Sequence, residues 1–167
     1  MKYKKSLLRN SYMMLRQLPK LAAEWILVEK CPGNINAGPK SSIGSQEFKY
    51  EKITKSRQIR LLKLPQRKPR DEVWCEVIAV SLGHTPAYNA ISYTWGSSEK
   101  THEILLSGAR CAVSSVVHER LQGRRSVWTT KWLLIGSLCI DQQDDEEKSG
   151  KIQLMRDIYC NAVQILV

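Results

Sequence analysis

Apolar positions change their spacing several times along the chain, and each change marks an element. From Ser6 to Lys30 they recur at mixed helical intervals, with Pro19 breaking the run ahead of Leu21 to Val28, so a kinked or two-part helix is predicted over 1–30. Cys31 to Ser45 gathers Pro32, Gly33, Asn34, Asn36, Gly38, Pro39 and several serines, the composition of a flexible linker, taken here as 31–56. The domain proper is expected over 57–167. Arg57 to Leu64 and Val73 to Val80 read as strands between breaker stretches, and Ala90 to Trp95 as a third that ends at Gly96. Ile104 to Leu106, Ser107-Gly108 and Cys111 to Val113 read as a short hairpin. Ser114 can cap a helix to about Gln122 with Val117 and Leu121 on one face.

Trp132 to Ile140 is a nearly continuous apolar run of strand length, the pattern of a strand buried on both faces of a parallel sheet. Charge then changes abruptly. Asp144 and Glu147 form an Asp-x-x-Glu capping box, and Asp145 and Glu146 add negative charge where a helix N-terminus favours it. Ile152, Met155, Ile158, Tyr159 and Ala162 follow at helical spacing, and Gln164 to Val167 begins another apolar strand. A buried strand, an acid-capped amphipathic helix and a second strand make a βαβ unit, which predicts an α/β fold with a partial parallel sheet. Because the chain stops inside that unit, a domain truncated at its C-terminus, hence a fragment or short gene product, is expected.

Charge adds a division of the chain. Residues 1–70 hold 17 Lys/Arg against 4 Asp/Glu, whereas residues 71–167 hold 9 against 12. A basic segment can hold phosphates through counterion release, yet no helix-turn-helix or aromatic RNA-binding strand accompanies it, and the chain has a single Phe, Phe48. The expectation is a solvated basic extension with membrane contact of residues 1–30 as an alternative, and no nucleic acid. No apolar run reaches the roughly 18 to 20 residues of a membrane span. Five cysteines, odd in number and never in a Cys-x-x-Cys pair, suggest reduced thiols and a cytoplasmic setting. His84, His102 and His118 lack partners at metal-ligand spacing, and no nucleophile elbow or glycine-rich phosphate loop occurs, so no metal and no cofactor are predicted.

Two blocks carry a resemblance. Tyr88-Asn-Ala-Ile-Ser-Tyr-Thr-Trp-Gly96 is similar to the opening block of the heterokaryon incompatibility (HET) domain, with Tyr88, Ser92, Tyr93, Trp95 and Gly96 at the family's positions. Cys139-Ile140-Asp141-Gln142, Asp144, Glu147, Met155, Tyr159 and Ala162 resemble the family's second block and the helix behind it. Arg60-Leu-Leu-Lys-Leu64 lies upstream, as such proteins often have it. Two positions depart from the pattern: Gly136 stands where an Asp is usual, and Lys151 where a Gln is usual.

The resemblance implies a fungal self/non-self recognition and programmed cell-death module. It implies a flavodoxin-like sheet related to TIR domains, and protein partners in the form of like domains or an upstream sensor. Some TIR domains cleave NAD through a glutamate on a later helix. With Ser92-Tyr93 matched to the first TIR strand and Leu133 to Ile140 to the second, the equivalent glutamate falls beyond Val167, so no NAD cleavage is expected of this chain. An NAD-cleaving enzyme when complete, or a basic adaptor, are the alternatives. Asp141 and Gln142, beyond the carboxyl end of a predicted parallel strand, are the candidates for a ligand or partner pocket. Asp144, Glu146 and Glu147 are sufficiently explained by capping, and Cys139 and Cys160 read as packing thiols.

Overall fold

The structure, a computed structural model, describes residues 48–66, 72–92 and 99–167. The predicted basic helix of residues 1–30 lies outside the described residues, as does the expected linker up to residue 47. Among the described residues, seven strands form one mixed sheet in the order β5-β4-β2-β1-β6-β3-β7. They are β1 Gln58–Leu64, β2 Trp74–Ser81, β3 Asn89–Ile91, β4 His102–Leu106, β5 Ala109–Val113, β6 Lys131–Ile135 and β7 Gln164–Leu166. Three helices accompany them: α1 Ser115–Gln122, α2 Gly136–Cys139 and α3 Asp145–Asn161.

β1 is the strand most fully enclosed. Ile59, Arg60, Leu61 and Leu62 are all buried, and since alternate residues face opposite ways, both faces of the sheet are covered here. It runs antiparallel to β2 on one side and to β6 on the other. β2 is divided between two neighbours, Trp74 and Cys75 pairing with β4 and Glu76 to Ser81 with β1. The β4–β5 hairpin turns through Ser107 and Gly108 at φ 48° and 85°, the left-handed pair that matches the twist of a two-residue hairpin. Ser107 Oγ also accepts from Val77 N at 2.9 Å, which ties the turn to β2.

The parallel sheet expected from the sequence is present in part. β3, β6 and β7 run parallel with β3 in the middle, and α3 is the crossover from β6 to β7. The rest of the sheet is mixed, because the short connection from β1 to β2 folds back as an antiparallel pair. The predicted strand from Trp132 to Ile140 is corrected: it ends at Ile135, and Gly136 to Cys139 form one helical turn. That turn is itself buried at Gly136, Leu138 and Cys139, so its residues are as apolar as those of the strand before it. Cys139 therefore sits on α2 and not on a strand. Of the strand expected from Ala90 to Trp95, Asn89 to Ile91 is observed, and residues 93–98 lie outside the described residues.

α1 starts as predicted, with Ser114 Oγ accepting from Val117 N at 3.4 Å and Val117 and Leu121 buried. In α3, Met155, Ile158 and Tyr159 define the buried face, joined unexpectedly by Lys151, while Ile152 and Ala162 are half-buried. Cys160, one step around the helix from Tyr159, is exposed, so it is not a packing thiol. Among the described residues no helix is long and apolar enough to cross a membrane.

Candidate functional site

The second motif block converges on Arg60. Its guanidinium is buried and meets Glu147 Oε1 at 2.5 Å, with the Glu147 side chain only 7% exposed. Nη2 donates to the Glu51 carbonyl at 2.5 Å, Nη1 approaches the Cys139 carbonyl at 3.5 Å, and the Tyr50 ring lies 4.8 Å beneath the guanidinium carbon. Tyr50 in turn donates to the Leu138 carbonyl at 3.3 Å and meets Phe48 edge to face. Two carbonyls, a carboxylate and an aromatic face thus surround one buried cation, the compensation that burying an arginine demands.

Glu147 alters the expected capping. Asp144 Oδ1 accepts from Glu147 N at 2.9 Å, as an N-cap should. The Glu147 carboxylate does not return to Asp144 N; it accepts from Asp141 N at 3.1 Å and from Arg60. A charge-assisted bond to a buried guanidinium outweighs a backbone bond to the cap. Glu147 is thereby a latch between the Asp141 turn and β1, a role that helix capping alone did not suggest.

Gln142 folds back over the end of β6, its Nε2 donating to the Gly136 and Ile140 carbonyls at 3.1 and 3.2 Å, and Asp141 Oδ1 accepts from Gln143 N at 3.0 Å. Both predicted pocket candidates therefore spend polar groups on their own turn. Cys139 Sγ accepts from Ile135 N at 3.4 Å, and burial pushes its thiol up to about 12, which leaves no reactive thiolate. Ile140 is buried. Lys151 is buried too, donating to the Gln58 carbonyl at 2.6 Å; burial lowers its pKa while Glu147 opposes the fall.

The first block lies across the parallel strands. Tyr88 is buried and donates to the Ile158 carbonyl, and burial raises its hydroxyl to about 12. Its own carbonyl accepts from Val163 N at 2.8 Å, and Ser92 N donates to Leu166 O at 2.7 Å, extending the pairing of β3 with β7. Burial raises the Tyr159 hydroxyl, and the Ser92 side chain beside it opposes the rise. Tyr93, Trp95 and Gly96 lie outside the described residues.

Sequence reasoning missed Arg60 and Tyr50 as members of this cluster. The signal for Arg60 was a lone cation inside an apolar strand, Ile59-Arg60-Leu61-Leu62. Tyr50 lay within the bounds 31–56 assigned to the linker, beyond the Pro, Gly and Ser residues that end at Ser45. Beside the cluster runs an open groove of about 400 Å³ lined by Phe48, Tyr50, Arg60, Val77, Ala79 and Ser107. Among the described residues no group of three or more His, Cys, Asp or Glu is placed to hold a metal ion.

These features define an α/β domain in which Ser92, Asp141 and Gln142 stand at the carboxyl ends of a short parallel unit and Glu147 locks that end to a neighbouring antiparallel strand through a buried ion pair. Residues 88–167 match the family described as Heterokaryon incompatibility protein (HET), and the chain belongs to that family as a HET-domain protein. It is 33% identical over 137 residues to Heterokaryon incompatibility protein 6, OR allele, of Neurospora crassa, an alignment covering 72% of this chain and 20% of that protein. The chain thus spans about a fifth of the length of this fungal relative. No solved structure matches it.

Proposed function

We propose that this protein works as a self/non-self recognition module that signals fungal cell death through contact with like domains or an upstream sensor in the cytoplasm. The carrying observation is the family match over 88–167, which holds both motif blocks together with the helix between them. The name of the Neurospora relative supports the same reading.

The sheet supports a flavodoxin-like, TIR-related architecture for this part of the chain. Numbered from β3, the parallel strands stand in the order 2-1-3, which is how the doubly wound flavodoxin order begins. In such sheets ligands and partners meet the domain at the carboxyl ends of the strands, here the end occupied by Ser92, Asp141 and Gln142.

A chimaera tests the reading. The aligned segment of the Neurospora relative is replaced by the corresponding residues of this chain, and incompatible strains are fused. Arrest and death of the fused cells, as with the unaltered relative, is the expected outcome. A chimaera that accumulates to the same level yet never triggers the reaction overturns it.

A further inference from the structure

The loop between α1 and β6 presents Trp128 with its surface 83% exposed and Val127 beside it 44% exposed. The loop is held in shape. Ser126 Oγ accepts from Trp128 N and Thr129 N, each at 3.2 Å, and Gln66 Nε2 donates to the Trp128 carbonyl at 2.7 Å. From Gln122 to Trp132 the chain carries Arg124, Arg125 and Lys131 and no acid, although residues 71–167 as a whole are net negative, while Arg120 reaches away to the Val167 carbonyl at 3.2 Å. An exposed tryptophan on a fixed loop among cations has the composition of an interface anchor, since Trp and Arg dominate binding hot spots.

The complementary charge stands at the other end of the same strand. Lys131 opens β6, and the turn beyond its far end leads through Asp141 and Asp144 into Asp145, Glu146 and Glu147. Glu147 is occupied by Arg60 and Asp144 by the helix cap, whereas Glu146 is exposed, and Asp145, paired with Lys148 at 2.6 Å, keeps 83% of its side chain in solvent. A basic, aromatic end and an acidic end on one β6 axis cannot meet within one molecule. They can meet between two.

We infer that the protein associates head to tail with further copies of itself, the Trp128 loop of one copy seating against the acidic start of α3 in the next. Such a contact is heterologous, so each copy keeps one unused end and the assembly grows. Opposite charge steers the encounter and the buried tryptophan supplies its hold. This deepens the proposed function, on whose like-domain contacts it rests, by giving them a surface.

Sedimentation velocity on the purified protein provides the test. The wild type should form oligomers that grow with concentration and fall apart at roughly 0.5 M salt, where exposed charges are screened. The basic-end variant Trp128→Ala/Lys131→Glu and the acidic-end variant Glu146→Lys should each weaken self-association at least about tenfold. Mixed together, the two variants should form a dimer that grows no further, since each retains the end that the other lacks. Circular dichroism checks that both are folded, and Trp128→Ser alone replaces the double variant if that one is not. A monomeric wild type, unchanged oligomers in Trp128→Ala/Lys131→Glu, or a mixture that stays monomeric overturns the inference. So does binding to phosphatidylserine vesicles through Trp128 without self-association, which assigns the loop to a membrane. A chimaera that still triggers death while the purified protein stays monomeric overturns this inference alone and leaves the proposed function standing.

Discussion

Arg60 and Glu147 stand 87 residues apart in sequence and 2.5 Å apart in space, both withdrawn from solvent. Arg60 belongs to β1, upstream of the residues that match the HET family, and Glu147 to the second motif block. The family segment is therefore completed by a cation it does not contain.

Breaking this pair from one side should cost more than removing it whole. Glu147→Met or Arg60→Met leaves a buried group without its partner, an effect of about 3–5 kcal/mol in comparable pairs. The double variant Arg60→Met/Glu147→Met should regain much of that loss, because apolar side chains of similar volume need no desolvation. Urea unfolding of the four proteins gives the coupling directly. Strictly additive losses would show that the two residues act independently.

Lys151 is buried with a pKa below its ordinary value, chiefly through desolvation. The fold then favours the neutral amine. Between the folded pKa and the ordinary 10.5, the unfolded chain holds more protons, so this group makes stability rise with pH across that window. Lys151→Gln removes the desolvated charge and keeps a donor for the Gln58 carbonyl. It should be the more stable protein at pH 7, with the gap in urea midpoint narrowing as pH approaches 10.5. A gap that stays constant to pH 10.5 would contradict this.

His118 on α1 stacks on His102 at the start of β4, ring centroids 4.5 Å apart. Burial and then the His102 and Arg125 charges lower the His118 pKa, Glu119 acts the other way, and Thr101 Oγ1 lies 2.9 Å from His102 Nδ1. A depressed folded pKa means that this contribution is complete above the ordinary 6.5 and is lost as pH falls through the folded value. Thermal melts should show a fall in Tm from pH 7.5 to 5.5 that is smaller in His118→Phe. An equal fall in both proteins removes His118 as its source.

The parts of this fold that were legible in the sequence are those set by neighbours. Apolar and β-branched residues between breaker stretches mark β1 and β2, Ser107-Gly108 supplies the left-handed hairpin pair, and Ser114 and Asp144 cap the helices that follow them. The break at Gly136 was not legible, because a buried helical turn after a buried strand is as apolar as the strand itself, and periodicity cannot divide a short run. The pairing of Leu62 with Leu133, which makes the sheet mixed, depends on distant segments. The same holds for the candidate site: the motif spacing located Asp141, Gln142 and Glu147, but the cation that claims Glu147 comes from another strand. Cys160 was readable after all, since the buried face through Met155, Ile158 and Tyr159 leaves the next position pointing outward.

Tyr88 joins the first motif block to the last turn of α3, its buried hydroxyl donating to the Ile158 carbonyl while its backbone carbonyl receives Val163 N. Helix α3 enters β7 through the turn at Ala162 and Val163, so this side chain ties the crossover to the strand beside which β7 must pair. Tyr88→Phe keeps the ring and removes the donor, leaving a carbonyl near the helix end without that bond. A loss of about 1–2 kcal/mol is expected from the missing bond and the unsatisfied acceptor. Hydrogen exchange localises the effect: amides of β7 and the end of α3 should lose protection more than those of β1 and β2, since the first pair depends on the anchor. Uniform loss across all four elements would mean that Tyr88 contributes to global stability without holding the crossover in register.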